Sequence, residues 1–255
     1  MIGGGQLARM MAPAATNLGL NLHILAETPQ VGAVAAVRTA VVGDYKNLDT
    51  LREFAAGKDV ITFDHEHVPT ELLHTLIAEG VNVQPRPEAL QYAQDKLLMR
   101  AAIERLGLPN PRWAKVSTLT ELLEFGDATG WPVVLKTPRG GYDGKGVLVL
   151  ESAGDARERA ASWFDQLESR TDFSSLLAEE KVPFTRELSA LVARRESGQV
   201  IPWPVAETIQ IHSVCDEVIS PAPNLEAQVA AAASEAAVHI ATELGVTGVM
   251  AVELF

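Results

Sequence analysis

Residues 136–147 combine two lysines with four glycines in the run Lys-Thr-Pro-Arg-Gly-Gly-Tyr-Asp-Gly-Lys-Gly-Val. The apolar residues that end at Lys136 and those of Val147–Leu150 indicate two strands joined by this segment. Glycine leaves backbone amides uncovered and free to turn inward, and Lys136 and Lys145 add positive charge. Such a hairpin is suited to close over a polyphosphate. The alternative is an ordinary turn, which would require neither the lysines nor the embedded Tyr142-Asp143.

The overall charge limits the partners that the chain can bind. Acidic residues number 33 against 21 basic ones, which gives a formal net charge of −12, and no run of Lys or Arg is longer than Arg194-Arg195. A nucleic-acid-binding surface needs clustered positive charge, so we expect no nucleic acid partner. A bound anion must therefore be held by a few placed cations and by backbone amides.

Length and cysteine content indicate a protein of the cytoplasm. The 255 residues suffice for one large domain or two smaller ones. The single Cys215 excludes an intramolecular disulfide and fits a reducing compartment. We find no signal peptide and no apolar run long enough to span a bilayer, so we expect a soluble protein without a membrane partner.

A second glycine-rich segment lies at the start of the chain. Residues 3–8, Gly-Gly-Gly-Gln-Leu-Ala, resemble the dinucleotide-binding fingerprint, and Glu27 lies about where a ribose-binding acid is expected. The signal is weak, because any helix that starts against a sheet favours glycine and its N-terminus attracts any anion. Nicotinamide binding, another small ligand and packing alone all remain open.

Residues 65–67, His-Glu-His, follow the apolar run Val60–Phe63. Strand alternation would place both histidines on one side and Glu66 on the other. A zinc pair is one interpretation, although no third ligand is apparent nearby. A carboxylate at the carboxyl end of a parallel strand is well placed to accept hydrogen bonds from ligand hydroxyls. Glu66 is therefore the stronger candidate, with a solvated loop acid as the alternative.

Carboxylates in the last third of the chain form another group of candidates. Residues 179–182, Glu-Glu-Lys-Val, and then Glu187 lie where an α/β pattern gives way to extended runs. A hinge there can present backbone groups to an adenine edge and a carboxylate to a ribose. Glu253 interrupts an apolar strand, where a carboxylate is costly unless it is paired, and Mg²⁺ is a natural partner. The alternative is that Glu253 projects into water. His212 by itself is more typical of a surface turn.

The apolar pattern indicates the elements that position these residues. In residues 1–90 strand and helix signals alternate, which predicts a parallel, doubly wound sheet. Strands are expected at 21–26, 39–43 and 59–63, and helices at 6–18, 48–56 and 69–78. A long helix over 88–106 and a second α/β unit follow, with helices over 119–129 and 156–167. From residue 176 successive extended runs predict an antiparallel sheet, then an alanine-rich helix over 225–244 and a final strand. A buried strand is an awkward terminus, so we expect that the chain ends inside a domain.

Taken together, these segments resemble the ATP-grasp superfamily, and within it the N5-carboxyaminoimidazole ribonucleotide synthetase family. The resemblance covers essentially the whole chain, and the glycine loop and the Gly-Gln-Leu start are specific to this branch. The segments that carry it are 4–10, 63–69, 94–96, Lys136 with 140–146, 179–182 with 186–189, and 248–253.

The resemblance implies a chain of mixed α/β and α+β class with three parts. Residues 1–90 would form a Rossmann-like, pre-ATP-grasp α/β domain. Residues 91–178 would form a linking helix and the small ATP-grasp lobe with its glycine-rich loop. Residues 179–255 would form the C-terminal ATP-grasp lobe, which would be truncated. Members of the family are typically homodimers.

The resemblance also implies the ligands of individual residues. The residues that would contact the ATP phosphates, or fold over them, are Lys96, Lys136, Gly141, Tyr142, Asp143, Gly144, Lys145, Gly146 and Val147. Those that would hold adenine and ribose, or lie beside the nucleotide, are Glu179, Glu180, Lys181, Val182, Glu187 and His212. Those that would line the pocket for aminoimidazole ribonucleotide are Gln6, Glu66, Tyr142 and Asp143. Glu253 would be a Mg²⁺ ligand.

The implied reaction is the ATP-dependent carboxylation of 5-aminoimidazole ribonucleotide in purine biosynthesis. ATP would phosphorylate bicarbonate to carboxyphosphate, which releases CO₂ beside the exocyclic amine, and the amine would attack to give the N5-carbamate, ADP and phosphate. Catalysis would come from positioning and from cations, with loop closure excluding water. The implied catalytic residues are Lys136, Tyr142 and Asp143, and Asp143 would orient or deprotonate the amine.

The chain departs from the family pattern at three places. An Asn-Glu pair that completes the metal site in relatives, and an Arg-Pro-His-Asn-Ser-Gly-His segment that contacts substrate, are not in this sequence. Lys96 stands where relatives often carry arginine, so the planar fork is lost. Residues 213–217 also differ. The alternatives are a formate-dependent glycinamide ribonucleotide transformylase, a biotin carboxylase-like enzyme and a catalytically silent nucleotide-binding fragment.

Overall fold

A computed structural model describes residues 1–141 and 144–255. These residues form two compact units, Met1–Leu90 and Gln91–Phe255. No helix in these two ranges is long and apolar enough to cross a membrane.

The first unit is built on a short parallel sheet. Strand β1 (Ile24–Ala26) pairs in parallel with β2 (Ala40–Val42). Single parallel bridges extend the sheet from Ile2 to Leu25 and Phe63, and from Ile61 to Val83. The helices of this part of the chain are α1 (Gln6–Asn17), α2 (Leu48–Ala55), α3 (Thr70–Ala78) and α4 (Pro87–Gln94). The strand predicted at 59–63 is therefore reduced to two isolated bridges.

Helices cover both faces of this sheet, as the doubly wound pattern predicts. Ile24 and Ala26 pack with Ala8 of α1 in one core, whereas Leu25 packs with α2 and α3 in the other. Because neighbouring residues of β1 point to opposite faces, both faces are buried, which is the usual state of a parallel sheet. The carboxyl ends of the strands then carry the loops that begin at Gly3, Glu27 and Asp64.

The second unit begins with a four-stranded antiparallel sheet in the order β3-β6-β4-β5. Its strands are β3 (Trp113–Val116), β4 (Val133–Lys136), β5 (Val147–Leu150) and β6 (Leu176–Glu180). The helices around it are α5 (Lys96–Arg105), α6 (Leu119–Thr129), α7 (Ala153–Arg159) and α8 (Ala161–Leu167). Val133 and Leu135 face a core made with α6, α7 and α8. Strand alternation therefore puts Lys136 on the opposite face.

The rest of the second unit is a larger antiparallel sheet in the order β10-β9-β7-β11, with β8 paired to β7. Its strands are β7 (Glu187–Arg194), β8 (Val200–Pro202), β9 (Ala206–Ile211), β10 (Val214–Ile219) and β11 (Gly248–Leu254). Helix α9 (Ala227–Glu243) packs against β7, β8 and β11. This agrees with the antiparallel sheet and alanine-rich helix predicted from the sequence, except at the first predicted run. That run, which begins at Leu176, is β6 and pairs with β3 and β4 in the smaller sheet.

The single long helix predicted over 88–106 is wrong, because the chain breaks it at Asp95. Asp95 has extended backbone angles (φ −136°, ψ 111°), and its carboxylate accepts hydrogen bonds from the backbone N–H groups of Leu97 and Leu98. Aspartate competes for backbone donors in this way and so favours the position before a helix over its interior. The structure therefore has α4 and α5 in place of one helix.

The helix predicted over 156–167 is also divided. It begins earlier, because the hydroxyl of Ser152 accepts a hydrogen bond from the N–H of Asp155 and caps α7 at Ala153. The break at Ala160 separates α7 from α8, and no local sequence feature explains it.

Candidate active site

Lys136 and Glu179 lie on one face of the small sheet, opposite the helices α6–α8. The antiparallel register pairs Lys136 with Leu177 and Val134 with Glu179, which makes the two charged side chains diagonal neighbours. Lys136 Nζ lies 2.5 Å from Glu179 Oε2. The other carboxylate oxygen, Oε1, accepts a hydrogen bond from Nε of Arg100 in α5.

This three-residue cluster is largely buried. The Glu179 side chain is 3% exposed, against 12% for Arg100 and 23% for Lys136. Burial alone would raise the pKa of Glu179, but the attraction of Lys136 and Arg100 outweighs it, and the pKa of Glu179 is lowered. The carboxylate is therefore ionised at neutral pH. Two cations and one anion leave the cluster with a net charge of +1.

A second anchor fixes the guanidinium of Arg100. Its Nη1 donates to Oδ1 of Asn110 over 3.0 Å, and Nδ2 of Asn110 donates back to the carbonyl of Arg100, also over 3.0 Å. The side chain is thus held at both ends, by Asn110 and by Glu179. Neither Arg100 nor Asn110 is predicted as a site residue from the sequence.

The base of the glycine hairpin is closed by backbone contacts. The N–H of Thr137 donates to the carbonyl of Gly146 over 2.9 Å, and Val147 pairs with Lys136 across the two strands. A Cβ at Gly141 would lie 2.6 Å from the carbonyl oxygen of Lys145, so the two arms approach too closely for a side chain there. Gly144 and Lys145 are exposed at the tip.

The roles predicted for Tyr142 and Asp143, in catalysis and in binding nucleotide and substrate, fall outside the described residues. They stay predictions from the sequence.

The start of the hairpin is tied to the N-terminus of α5. The N–H of Lys96 donates to the carbonyl of Pro138 over 3.0 Å. Nε of Arg139 lies 2.9 Å from Oδ2 of Asp95, whose other oxygen caps the helix. These contacts bring Lys96, which is half-buried, beside the loop that follows Lys136. A helix N-terminus adds a favourable field for an anion at the same place.

The predicted hinge, residues 179–182, runs from β6 into the loop before β7. Both oxygens of Glu180 accept from Arg112, from its N–H over 2.8 Å and its Nε over 2.7 Å, and these hydrogen bonds lower the pKa of Glu180. The N–H of Lys181 donates to the carbonyl of Pro132, and its side chain is exposed, whereas Val182 is half-buried. The Glu179 side chain faces Lys136, which leaves backbone groups as the means by which the hinge could bind adenine.

Glu187 and Glu253 share one face of the larger sheet. Ser189, two residues after Glu187, pairs directly with Glu253 across β7 and β11, and alternation places all three side chains on that face. The opposite face of β7 carries the buried Leu188. Glu187 is half-buried and Glu253 is exposed. This exposure is compatible with both roles considered for Glu253, a ligand of Mg²⁺ and a solvated carboxylate.

His212 lies in the tight turn between β9 and β10. Both His212 (φ 51°) and Ser213 (φ 64°) have positive φ, the backbone required at the two central positions of a type I′ hairpin turn. The turn reaches the glycine hairpin, since a Cβ at Gly144 would lie 3.0 Å from Oγ of Ser213. The structure thus brings His212 close to the tip of the loop.

The first unit has its own polar group at the carboxyl edge of its sheet. The N–H of Gly4 donates to Oε2 of Glu27 over 3.2 Å, and the N–H of Gly5 donates to Oδ2 of Asp64 over 2.8 Å. Glu27 Oε1 lies 2.9 Å from Nε2 of His65. The acid predicted to bind a ribose is therefore engaged by the glycine loop and by His65. Asp64, which holds the loop, has no predicted role in the sequence interpretation.

The two histidines considered as a zinc pair contact each other instead. The rings of His65 and His67 stack with centroids 5.3 Å apart, and the N–H of His67 donates to Nδ1 of His65. Glu27, Asp64 and His65 have ligand atoms within 4.8 Å of one another, but hydrogen bonds already engage both ring nitrogens of His65. Of the predicted substrate residues in this unit, Glu66 is half-buried and Gln6 is exposed at the start of α1.

Two domain families match the chain. The ATP-grasp domain matches residues 101–255, and the ribonucleotide synthetase preATP-grasp domain matches residues 1–94. Together they account for nearly the whole chain.

Individual relatives are similar over its full length. The chain is 48% identical over 255 residues to the N5-carboxyaminoimidazole ribonucleotide synthase of Mycobacterium bovis, of which it covers 58%. All of it superposes on an N5-carboxyaminoimidazole ribonucleotide synthetase solved with ADP, at 33% identity and a TM-score of 0.89, covering 65% of that chain. The Aspergillus clavatus synthase in complex with ADP and 5-aminoimidazole ribonucleotide gives 28% identity and a TM-score of 0.83, again with 65% of that chain covered. The chain thus spans less than two thirds of the length of these relatives.

Proposed function

Because this chain belongs to the ATP-grasp family, we propose that it serves the ATP-dependent carboxylation of 5-aminoimidazole ribonucleotide with bicarbonate in purine biosynthesis, as a carbon–nitrogen ligase. The observation that carries this proposal is the joining of a ribonucleotide synthetase preATP-grasp domain to an ATP-grasp domain whose Lys136 is aligned beside a glycine hairpin. The products would be the N5-carbamate, ADP and phosphate.

The second unit would bind the nucleotide. Lys136 and Lys96 approach the glycine hairpin from β4 and from α5, and both would contact the phosphates of ATP. The hairpin residues 141–147 would close over these phosphates, with backbone amides and Lys145 as donors. Residues 179–182 would hold adenine through their backbone, Glu187 would hold the ribose, and His212 would lie beside the nucleotide. The predicted boundary between the small lobe (91–178) and the C-terminal lobe (179–255) falls inside β6, so the small lobe would extend to the end of that strand at Glu180.

Glu253 fits a Mg²⁺ ion that is carried into the site by ATP. Mg²⁺ in phosphate-binding sites is held by one or two carboxylates together with phosphate oxygens, and Glu253 is an exposed carboxylate on the same face as Glu187. When bound, the ion would neutralise charge on the transferred phosphoryl group. Glu253 would contribute one ligand.

The first unit would bind the ribonucleotide. Gln6 begins α1 directly after the glycine loop, and Glu66 follows the Asp64 that accepts a hydrogen bond from that loop. Both lie at the carboxyl edge of the parallel sheet, the usual place for ligands in open α/β folds. Tyr142 and Asp143 would contact the same substrate, and Asp143 would orient or deprotonate its amine.

The chemistry would need no nucleophilic side chain. Attack of bicarbonate on the γ-phosphoryl group of ATP gives carboxyphosphate and ADP, and loss of phosphate then yields CO₂ for the amine. Lys136 would lower the barrier by stabilising charge on the phosphoryl oxygens, and the closed hairpin would keep water from the reactive intermediate.

The test is ADP release with each substrate pair. We expect release that depends on aminoimidazole ribonucleotide and bicarbonate, and none with glycinamide ribonucleotide and formate. Lys136→Met should reduce turnover by about 100-fold or more in a variant that still folds, with a lowered melting temperature because Glu179 keeps only one of its two cations. Release driven by the formate pair, ATP binding without turnover in the wild type, or wild-type turnover in Lys136→Met would each contradict the proposal.

The proposed assembly and location of the protein rest on the same family resemblance. The protein would act as a homodimer in the cytoplasm, and sedimentation equilibrium would test the mass of the assembly.

A further inference from the structure

We propose that Arg100 is a positioning residue for the nucleotide site, which aligns Lys136 through Glu179 and preserves its positive charge. The inference rests on the proposed function, since it concerns the lysine that would contact ATP. Arg100 lies on α5, outside the segments that carry the family resemblance.

The geometry divides one carboxylate between two cations. Nε of Arg100 donates a hydrogen bond to Oε1 of Glu179, and Nζ of Lys136 lies 2.5 Å from Oε2. Arg100 therefore holds the Glu179 carboxylate from the side opposite to Lys136. Because the carboxylate is fixed, its Oε2 determines where the ammonium group of Lys136 lies. Asn110 holds the other side of the guanidinium at 3.0 Å, so Arg100 cannot easily move away from Glu179.

The charge balance gives Arg100 a further effect. A lysine paired alone with a buried carboxylate forms a neutral pair, which has little attraction for a triphosphate. With Arg100 present the cluster carries +1, so Lys136 is both aligned and attractive to an anion. This matters in a chain with a net charge of −12, where a bound anion depends on a few local cations.

A double-mutant cycle separates this role from a structural one. Arg100→Gln should make the cluster neutral, Glu179→Gln should make it +2, and the double variant should return it to +1. At an effective dielectric constant near 20, one charge about 8 Å from a phosphate is worth roughly 10- to 100-fold in affinity. We therefore expect Arg100→Gln to weaken MgATP binding by that factor, measured by calorimetry.

The double variant Arg100→Gln/Glu179→Gln should bind MgATP at least about tenfold more tightly than Arg100→Gln. A merely structural role predicts the opposite, because a second buried change would add to the damage. Arg100→Lys keeps the charge but loses the fork to Glu179 and Asn110, and should stay within about fivefold of the wild type. Arg170→Gln, which removes an exposed arginine paired with Asp172, is the control and should bind normally.

The outcomes distinguish this inference from the proposed function. If the wild type fails to bind MgATP, or if Lys136→Met binds it normally, both are overturned. If binding depends on Lys136 but the double variant is no tighter than Arg100→Gln, the role of Arg100 alone is refuted. If Arg100→Gln does not fold, Arg100→Lys is the deciding variant. Because it preserves the charge, a loss of MgATP affinity of more than tenfold in Arg100→Lys would overturn the charge argument.

Discussion

Glu179 is a carboxylate in the interior of a domain with a cation on each of its oxygens. The desolvation of such a group costs several kcal/mol, and it is tolerated only because both oxygens are paired. Lys136 and Arg100 are in turn too buried to leave without a counter-charge. The three side chains therefore depend on one another for stability, and the same dependence holds Lys136 at its position beside the glycine hairpin.

Glu179→Gln should lower the free energy of unfolding by about 3 kcal/mol near pH 7, because it leaves two buried cations without an anion. The effect should depend on pH. The folded pKa of Glu179 is lowered from its ordinary value of 4.5, so its contribution is fully present above that value and is lost as the pH falls through the lower folded pKa. Urea unfolding at several pH values should show the difference from wild type constant above about pH 5.5 and shrinking below pH 4.5.

Glu79→Gln provides the comparison for this experiment. Glu79 pairs with Arg52 on the surface, where both side chains are well exposed, so its loss should change stability little. A pH-independent difference for Glu179→Gln would contradict the account of its pKa.

The glycine hairpin has two separate reasons for glycine: backbone angles that other residues rarely adopt, and neighbouring atoms too close for a side chain. Gly140 and Gly146 both have φ of +73°, a region that residues with a side chain rarely adopt. They differ in their surroundings, since a Cβ at Gly140 would meet nothing within 4 Å, whereas one at Gly146 would collide with Oγ1 of Thr137. Backbone strain is thus common to both positions, and crowding is confined to Gly146.

Gly146→Ala should therefore destabilise the hairpin more than Gly140→Ala. Both substitutions cost about 1–2 kcal/mol of backbone strain, and Gly146→Ala must also displace Thr137, which donates its N–H to the carbonyl of Gly146. We expect faster tryptic cleavage at Arg139 and Lys145 in Gly146→Ala, and weaker protection by MgATP. Equal cleavage rates in the two variants would show that crowding at Thr137 has no effect on the loop.

The whole molecule consists of two units with separate cores, and the proposed nucleotide contacts, from Lys96 to Glu253, all lie in the second. A ligand that binds only the native state stabilises the unit that holds it, by about 2.7 kcal/mol at 100 times its dissociation constant. The first unit would gain only what its own ligand provides.

Hydrogen exchange with and without MgATP should therefore separate the units. Amides of β6, β7 and β11 should exchange more slowly at saturating nucleotide, whereas those of β1 and α3 should be unchanged. Aminoimidazole ribonucleotide alone should slow exchange in the first unit, where Gln6 and Glu66 would line its pocket, and outside that unit only near the glycine hairpin. Protection by MgATP that is greatest in β1 and α3 would place the nucleotide in the first unit and contradict the proposed division.

Local patterns in the sequence determined most of the elements and indicated the candidate segments for chemistry. Apolar periodicity indicated the doubly wound first unit, the antiparallel second sheet and the alanine-rich helix, because each depends on neighbouring residues. The spacing of glycine and lysine predicts that residues 136–147 bind an anion. Where the pattern failed, as at Asp95, a side chain had captured backbone donors that a helix would otherwise use.

The tertiary structure alone decided the partners of the charged residues. Arg100 meets Glu179 across 79 positions of sequence, and Asp64 accepts from Gly5 across 59. Such pairs depend on strand order, on register and on which helix packs over which face, and a shift of one residue would turn Glu179 to the other side of the sheet. Short-range periodicity carries no information on those relations. Residues 136–147 could therefore be singled out from the sequence, whereas the contacts of Arg100 and Glu179, which set the charge around Lys136, could not.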